Sequence, residues 1–139
     1  MGEVAERAYG PHLTVDAYGC GREALASLEA VHGFLDRMPG VIGMEKITKP
    51  YAFRHLAPPD PEWGITGVVI IATSHISFHS YPQLGMAFID VFSCRAFDEE
   101  KALEFVGEMF HPARMDTNTT RRGKDFAKEM ERARNGEGS

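Results

Sequence analysis

The stretch Ala72-Thr73-Ser74-His75-Ile76-Ser77-Phe78-His79-Ser80-Tyr81-Pro82 constrains this chain more than any other. It follows the apolar run Val68-Val69-Ile70-Ile71, which reads as a buried strand. Three serines, two histidines and a threonine thus come directly after buried backbone. Hydroxyls and imidazoles are costly in a strand interior unless they are hydrogen-bonded or chemically employed. The fold must accommodate these groups, and any chemistry is expected here.

The flanking sequence predicts how that strand is housed. His12 to Tyr18 alternates, with Leu13, Val15 and Ala17 on one side and Thr14 and Asp16 on the other, as a strand does. From Arg22 to Met38, Leu25, Leu28, Val31, Leu35 and Met38 recur at helical spacing until Pro39-Gly40. Val41 to His55 predicts one or two exposed strands interrupted by Pro50, and the proline cluster at Ala57 to Glu62 predicts a loop. Ile65 to Thr73, His75 to Ser80 and Met86 to Cys94 read as strands, with Ala87, Ile89 and Val91 sharing one face of the last. Asp98-Glu99-Glu100 opens a second helix, with acids at its positive dipole end and Ala102, Phe105, Val106, Met109 and Phe110 on its buried side. Ala113 to Thr120 reads as a polar edge strand. The fold class is therefore α/β of the α+β type: a two-layer sandwich, mainly antiparallel, with two helices packed on one face. Residues 1–121 form a single domain, and residues 122–139 a charged tail expected to be a short solvated helix that frays. The first ten residues are expected to be loose.

Composition narrows the function. A chain of 139 residues with 43% hydrophobic and 25% charged residues is an ordinary globular domain. A net charge of −5 favours neither nucleic acid nor an anionic membrane as a partner, and no apolar run reaches the length of a membrane span. Two cysteines, Cys20 and Cys94, make no disulfide scaffold, so a cytoplasmic, reduced protein with free thiols is expected. His75 and His79 are four apart, a metal spacing on a helix but not on a strand, and no third ligand is evident. No metal is expected.

Residues Gly64 to His79, continued by Tyr81-Pro82 and by Gly85-Met86-Ala87-Phe88-Ile89-Asp90-Val91-Phe92-Ser93-Cys94, resemble the processing segment of the small prokaryotic S-adenosylmethionine decarboxylases. Weaker echoes are His12-Leu13, Asp16 to Cys20 and Lys101-Ala102-Leu103, so the likeness spans most of residues 11–121. The resemblance implies a self-processing decarboxylase of polyamine biosynthesis. Ser74 would attack the carbonyl of Thr73, cut the chain between residues 73 and 74, and become a pyruvoyl group. That group would form a Schiff base with a substrate amine and act as the electron sink for decarboxylation. The resemblance further assigns His79 and Thr66 as processing helpers and Cys94 as the proton donor to the α-carbon. It also implies a homodimer of cleaved protomers.

The sequence departs from the family pattern at its margins. The family's glutamate before the cut is Thr73, which still supplies the carbonyl that the reaction needs. Its processing serine is Thr66, which keeps the hydroxyl. Among the substrate-binding positions, tryptophan is replaced by Tyr81, a carboxylate by Gln83, and an aromatic, by simple counting, by Asp60. An acid at residue 60 suits a cationic side chain, so these changes lean toward arginine or ornithine over S-adenosylmethionine. The bland readings stand beside these. Ser74 and His79 can be hydrogen-bonded structural residues, and Cys94 a small apolar filler. Asp90 is either a buried hydrogen-bonded carboxylate or part of a dimer contact. No Gly-x-Ser-x-Gly elbow supports a Ser-His hydrolase. A homologue that lost processing and serves as a binding or regulatory subunit is the alternative from a different functional class.

Overall fold

A computed structural model describes residues 8–136. Residues 1–7, expected to be loose, and residues 137–139, the end of the tail expected to fray, lie outside the described residues. Strand β1 (Gly10–Tyr18) is followed by helices α1 (Arg22–Leu25) and α2 (Leu28–Val41), then strands β2 (Tyr51–His55), β3 (Gly64–Ile71), β4 (Ser74–Tyr81) and β5 (Met86–Phe92). Helix α3 (Glu99–Phe110), strand β6 (Arg114–Arg122) and helix α4 (Phe126–Arg134) follow, the last of the elements among the described residues. The six strands form one sheet in the order β2-β3-β4-β5-β1-β6, and every neighbouring pair is antiparallel.

Period-two alternation decides the two faces of the sheet. Leu13, Val15, Ala17, Ile65, Val69, Ile71, Ile76, Phe78, Ala87, Ile89 and Val91 are buried beneath the helices. His12, Thr14, Asp16, His75, Ser77, Phe88, Asp90 and Phe92 lie on the opposite face and are half-buried. Under the helices, Phe34 of α2 meets Phe78 of β4, and Phe105 and Phe110 of α3, at ring distances of 5.8, 5.5 and 5.2 Å.

The predicted first helix is in fact two. Ser27 caps α2, its hydroxyl accepting from the Ala30 amide at 3.0 Å, and this break turns the helical register. Leu28, predicted on the buried face, is therefore 43% exposed, and Phe34 takes the central core position instead. Asp98 caps α3 as predicted, accepting from the Lys101 amide at 3.1 Å. The region from Val41 to His55 holds one named strand, β2. The charged tail forms a short helix, α4, with no buried residue, as expected, and its Phe126 meets Tyr9 edge-on at 4.7 Å. Tyr9, expected to be loose, is thereby packed.

Candidate active site

Ile71 pairs with Ser74, so β3 and β4 are joined by the two-residue turn Ala72-Thr73. Thr73 has φ +51°, the left-handed region that a β-branched residue rarely occupies. The bond between residues 73 and 74 thus joins an exposed, sterically unfavourable turn residue to a serine only 5% exposed. The Thr73 hydroxyl donates to the Ala72 carbonyl at 2.8 Å.

Ser74 and Cys94 are brought together because β5 lies beside β4, with Phe92 opposite His75. The Cys94 amide donates to Ser74 Oγ at 2.8 Å, and Ser74 Oγ donates to the Ala72 carbonyl at 3.2 Å. Cys94 Sγ reaches the same carbonyl at 3.6 Å. Buried Ser93 folds the chain around Cys94: its hydroxyl donates to the Arg95 carbonyl at 2.5 Å and accepts from the Arg95 amide at 3.1 Å. Hydrogen bonding by Thr73 holds the Cys94 thiol below its ordinary pKa; burial opposes this, and Ser74 assists it. Cys20 is the opposite case, because burial pushes its thiol up to about 11. One thiol is suited to proton exchange and the other to packing.

Tyr9 approaches from the start of the chain, and its hydroxyl donates to the Thr73 carbonyl at 2.8 Å. Gly10 permits this approach, since a Cβ there would stand 1.8 Å from the Ser93 carbonyl oxygen. Beside Cys94 lies a cavity of about 630 Å³, whose lining includes Tyr9, Phe97, Phe126 and Met130 with Glu99 and Arg121. That volume is in the range of sites that hold small ligands.

Thr66 and His79 are also brought together, but elsewhere. They pair across β3 and β4, and Thr66 Oγ1 lies 3.1 Å from His79 Nδ1. His79 is five residues along β4 from Ser74, about 17 Å at the ~3.4 Å rise of a strand, and on the opposite face. The four residues grouped by the resemblance therefore form two pairs within one chain. Tyr81 lies beside the Thr66–His79 pair in a shallow notch also lined by His55 and Glu62, and its ring meets Phe88 at 6.0 Å. Gln83 is exposed in the 3-10 turn Pro82–Leu84. Asp60 does not line the notch; its carboxylate accepts from the Glu62 amide at 2.9 Å within its own loop.

Burial, with His12 close by, holds the His75 imidazole below its usual pKa, and its ring rests on Phe92 at 5.5 Å. Asp90 is not buried: its carboxylate is 45% exposed and stands 3.8 Å from His12 Nε2. No cluster of three or more metal-ligating side chains occurs among the described residues. Nor is any helix among them long and apolar enough to cross a membrane. Sequence reasoning missed Tyr9, Ser93, His55 and Glu62. For Ser93 a signal existed, a serine two residues before Arg95 at a strand end, where such hydroxyls close turns. The others depend on contacts between distant segments.

Known proteins resemble this chain in sequence and in fold. The sequence model described as S-adenosylmethionine decarboxylase matches residues 11–123. The S-adenosylmethionine decarboxylase proenzyme of Caldicellulosiruptor saccharolyticus is 32% identical over 117 residues, covering 84% of this chain and 90% of that protein. The proenzyme of Carboxydothermus hydrogenoformans is also 32% identical, covering 84% and 87%. Among solved structures, the adenosylmethionine decarboxylase of Aquifex aeolicus superposes with a TM-score of 0.68 at 28% identity, covering 84% of this chain and 92% of that one. The Trypanosoma brucei AdoMetDC-delta26 monomer shares the fold at 16% identity, with a TM-score of 0.51 and coverage of 78% and 44%. With a serine held at a strained hairpin and a thiol beside it, the chain belongs to the S-adenosylmethionine decarboxylase family, pyruvoyl-dependent carboxy-lyases made as self-processing proenzymes.

Proposed function

We propose that this chain cuts itself between Thr73 and Ser74 and then decarboxylates S-adenosylmethionine, working as a homodimer in polyamine biosynthesis. The observation that carries the reading is Ser74: a buried hydroxyl, bonded to the Cys94 amide, directly after a left-handed Thr73 at the hairpin turn. The residues present fit the prosthetic group, because the serine is fixed while the bond to be cut lies in an exposed turn.

In processing, Ser74 Oγ adds to the Thr73 carbonyl carbon and the Thr73–Ser74 C–N bond breaks. The hydroxyl proton ends on the freed Ser74 nitrogen, leaving an ester. Loss of the Ser74 α-proton then expels the Thr73 carboxylate, and hydrolysis of the resulting dehydroalanine releases ammonia. The pyruvoyl group so formed supplies a carbonyl electron sink for loss of carbon dioxide. Cys94 carries a proton to the substrate's α-carbon, and the adjoining cavity gives a small substrate room beside that thiol.

The separation of Thr66 and His79 from Ser74 within one chain supports assigning the pair to the cut of a second copy. The half-buried sheet face that carries His79, His75, Ser77 and Phe88 is the surface for that copy. The lean toward arginine or ornithine rested on Asp60, which does not line the notch beside Tyr81, and the relatives are named S-adenosylmethionine decarboxylase proenzymes. S-adenosylmethionine is therefore the preferred substrate. The test is a denaturing gel run beside labelled carbon dioxide release from S-adenosylmethionine, arginine and ornithine. Two fragments, with release from the first substrate, are expected. A chain that stays full length sinks the enzyme reading and favours a binding subunit, and release only from arginine or ornithine overturns the substrate.

A further inference from the structure

Tyr9 is held more firmly than a residue before the first strand needs to be. Its ring stacks on Phe92 at 5.7 Å and meets Phe126 edge-on at 4.7 Å, and its amide donates to the Gly123 carbonyl at 2.9 Å. Gly123 has φ +66°, and a Cβ there would come within 2.5 Å of Tyr9 Cβ, so the turn after β6 is shaped around this tyrosine. The product of these contacts is one polar bond, from the Tyr9 hydroxyl to the Thr73 carbonyl oxygen at 2.8 Å. Both Tyr9 and Phe126 lie outside residues 11–123, the span matched by the family.

We infer that Tyr9 is a catalytic residue of self-cleavage, the donor that stabilises the charge developing on the Thr73 carbonyl oxygen. The inference rests on the proposed cut at Thr73–Ser74. When Ser74 Oγ adds to the carbonyl carbon, the π-electron pair moves onto the oxygen that Tyr9 already contacts. When the carbonyl re-forms, the pair returns and the C–N bond breaks. The phenol keeps its own proton throughout; the proton lost by Ser74 Oγ ends on the Ser74 nitrogen. A donor fixed at such an oxygen before reaction needs no reorganisation, and for that reason acts more strongly than water. The Ser74 hydroxyl accepts from the Cys94 amide and donates to the Ala72 carbonyl, so its proton is not directed at this oxygen.

The experiment follows cleavage of freshly translated full-length chain by gel, comparing the parent with Tyr9→Phe, which keeps the ring contacts. Tyr9→Phe is expected to cut on the order of 100-fold more slowly. Because the first step is affected, no ester should accumulate, and hydroxylamine, which severs esters, should release no early fragments. Cleavage at the parent rate overturns the inference while leaving the proposed cut intact. Slow cleavage with an accumulated, hydroxylamine-sensitive ester also overturns it, because the lost function then belongs to a later step. If the parent itself never cuts, both readings fall. Should Tyr9→Phe not fold by circular dichroism, 3-fluorotyrosine at position 9 is measured at neutral pH. Its stronger donor should speed cleavage several-fold, and an unchanged rate overturns the inference.

Discussion

Thr66 and His79 contact each other across β3 and β4 at 3.1 Å, yet they stand at the end of the hairpin away from Ser74 and on the other face of the sheet. A pair so placed does not touch its own chain's Ser74, so on the proposed reading it acts on the cut of another copy. General acid–base groups contribute roughly 10²- to 10⁴-fold. His79→Ala alone should therefore cut at least 100-fold more slowly than the parent. Co-expressed with Ser74→Ala, which keeps the pair but has no nucleophile, the His79→Ala chain should be cleaved again. Mixed chains that remain uncut would place the pair's action within its own chain.

Cys94 and Cys20 should differ sharply toward an alkylating reagent. In the uncut Ser74→Ala chain at mildly alkaline pH, one thiol should react, since burial holds Cys20 up to about 11. Hydrogen bonding by Thr73 is the largest cause lowering the Cys94 pKa, so its thiolate appears at lower pH than an ordinary thiol's. Thr73→Val removes that bond, and the pH midpoint of alkylation should move upward. The shift is read by mass spectrometry of the labelled chain across a pH series. A midpoint that stays put or moves down would remove Thr73 from any role in tuning the thiol.

Local signals carried the strands and the caps, because alternation, acids before a helix and proline clusters are written in adjacent residues. Leu13-Val15-Ala17 and Asp98-Glu99-Glu100 are examples that the structure bears out. The break at Ser27 was harder to see, since the apolar spacing ran straight through it from Leu25 to Val31. A side-chain cap competes with helix continuation at any serine, and tertiary packing of Phe34 decided the outcome here. The Ser74–Cys94 contact was legible only through the family pattern. The separation of Ser74 from His79 was not read from the sequence, where the strand was expected to begin at His75; with Ser74 on β4, residues five apart face opposite ways. Tyr9 was illegible: its role depends on a carbonyl 64 residues away and on α4.

Phe34 should be the most costly single truncation in the core. It is fully buried, and three other aromatic rings meet it from β4 and α3. Phe34→Ala should destabilise the chain by about 3–5 kcal/mol. Equilibrium urea unfolding in the uncut Ser74→Ala background reads this without interference from cleavage. A loss below about 1 kcal/mol would mean that the four-ring cluster can collapse around the gap.

Thr73 at φ +51° links the turn's conformation to the reaction. The left-handed region costs an L-residue roughly 1–2 kcal/mol, and asparagine tolerates it best among residues with a side chain. Thr73→Asn in the uncut Ser74→Ala background should therefore stabilise the chain by about 1 kcal/mol. With Ser74 restored, the same substitution should slow cleavage up to about five-fold, the rate equivalent of that energy. The carbonyl that Ser74 attacks is unchanged, so a slower cut would reflect relief of ground-state strain in the turn. Greater stability with an unchanged cleavage rate would mean that the strain persists in the transition state. Lower stability would mean that the Thr73 hydroxyl's bond to the Ala72 carbonyl outweighs its backbone cost. Denaturation of the uncut pair and a cleavage time course of the serine-containing pair separate these outcomes.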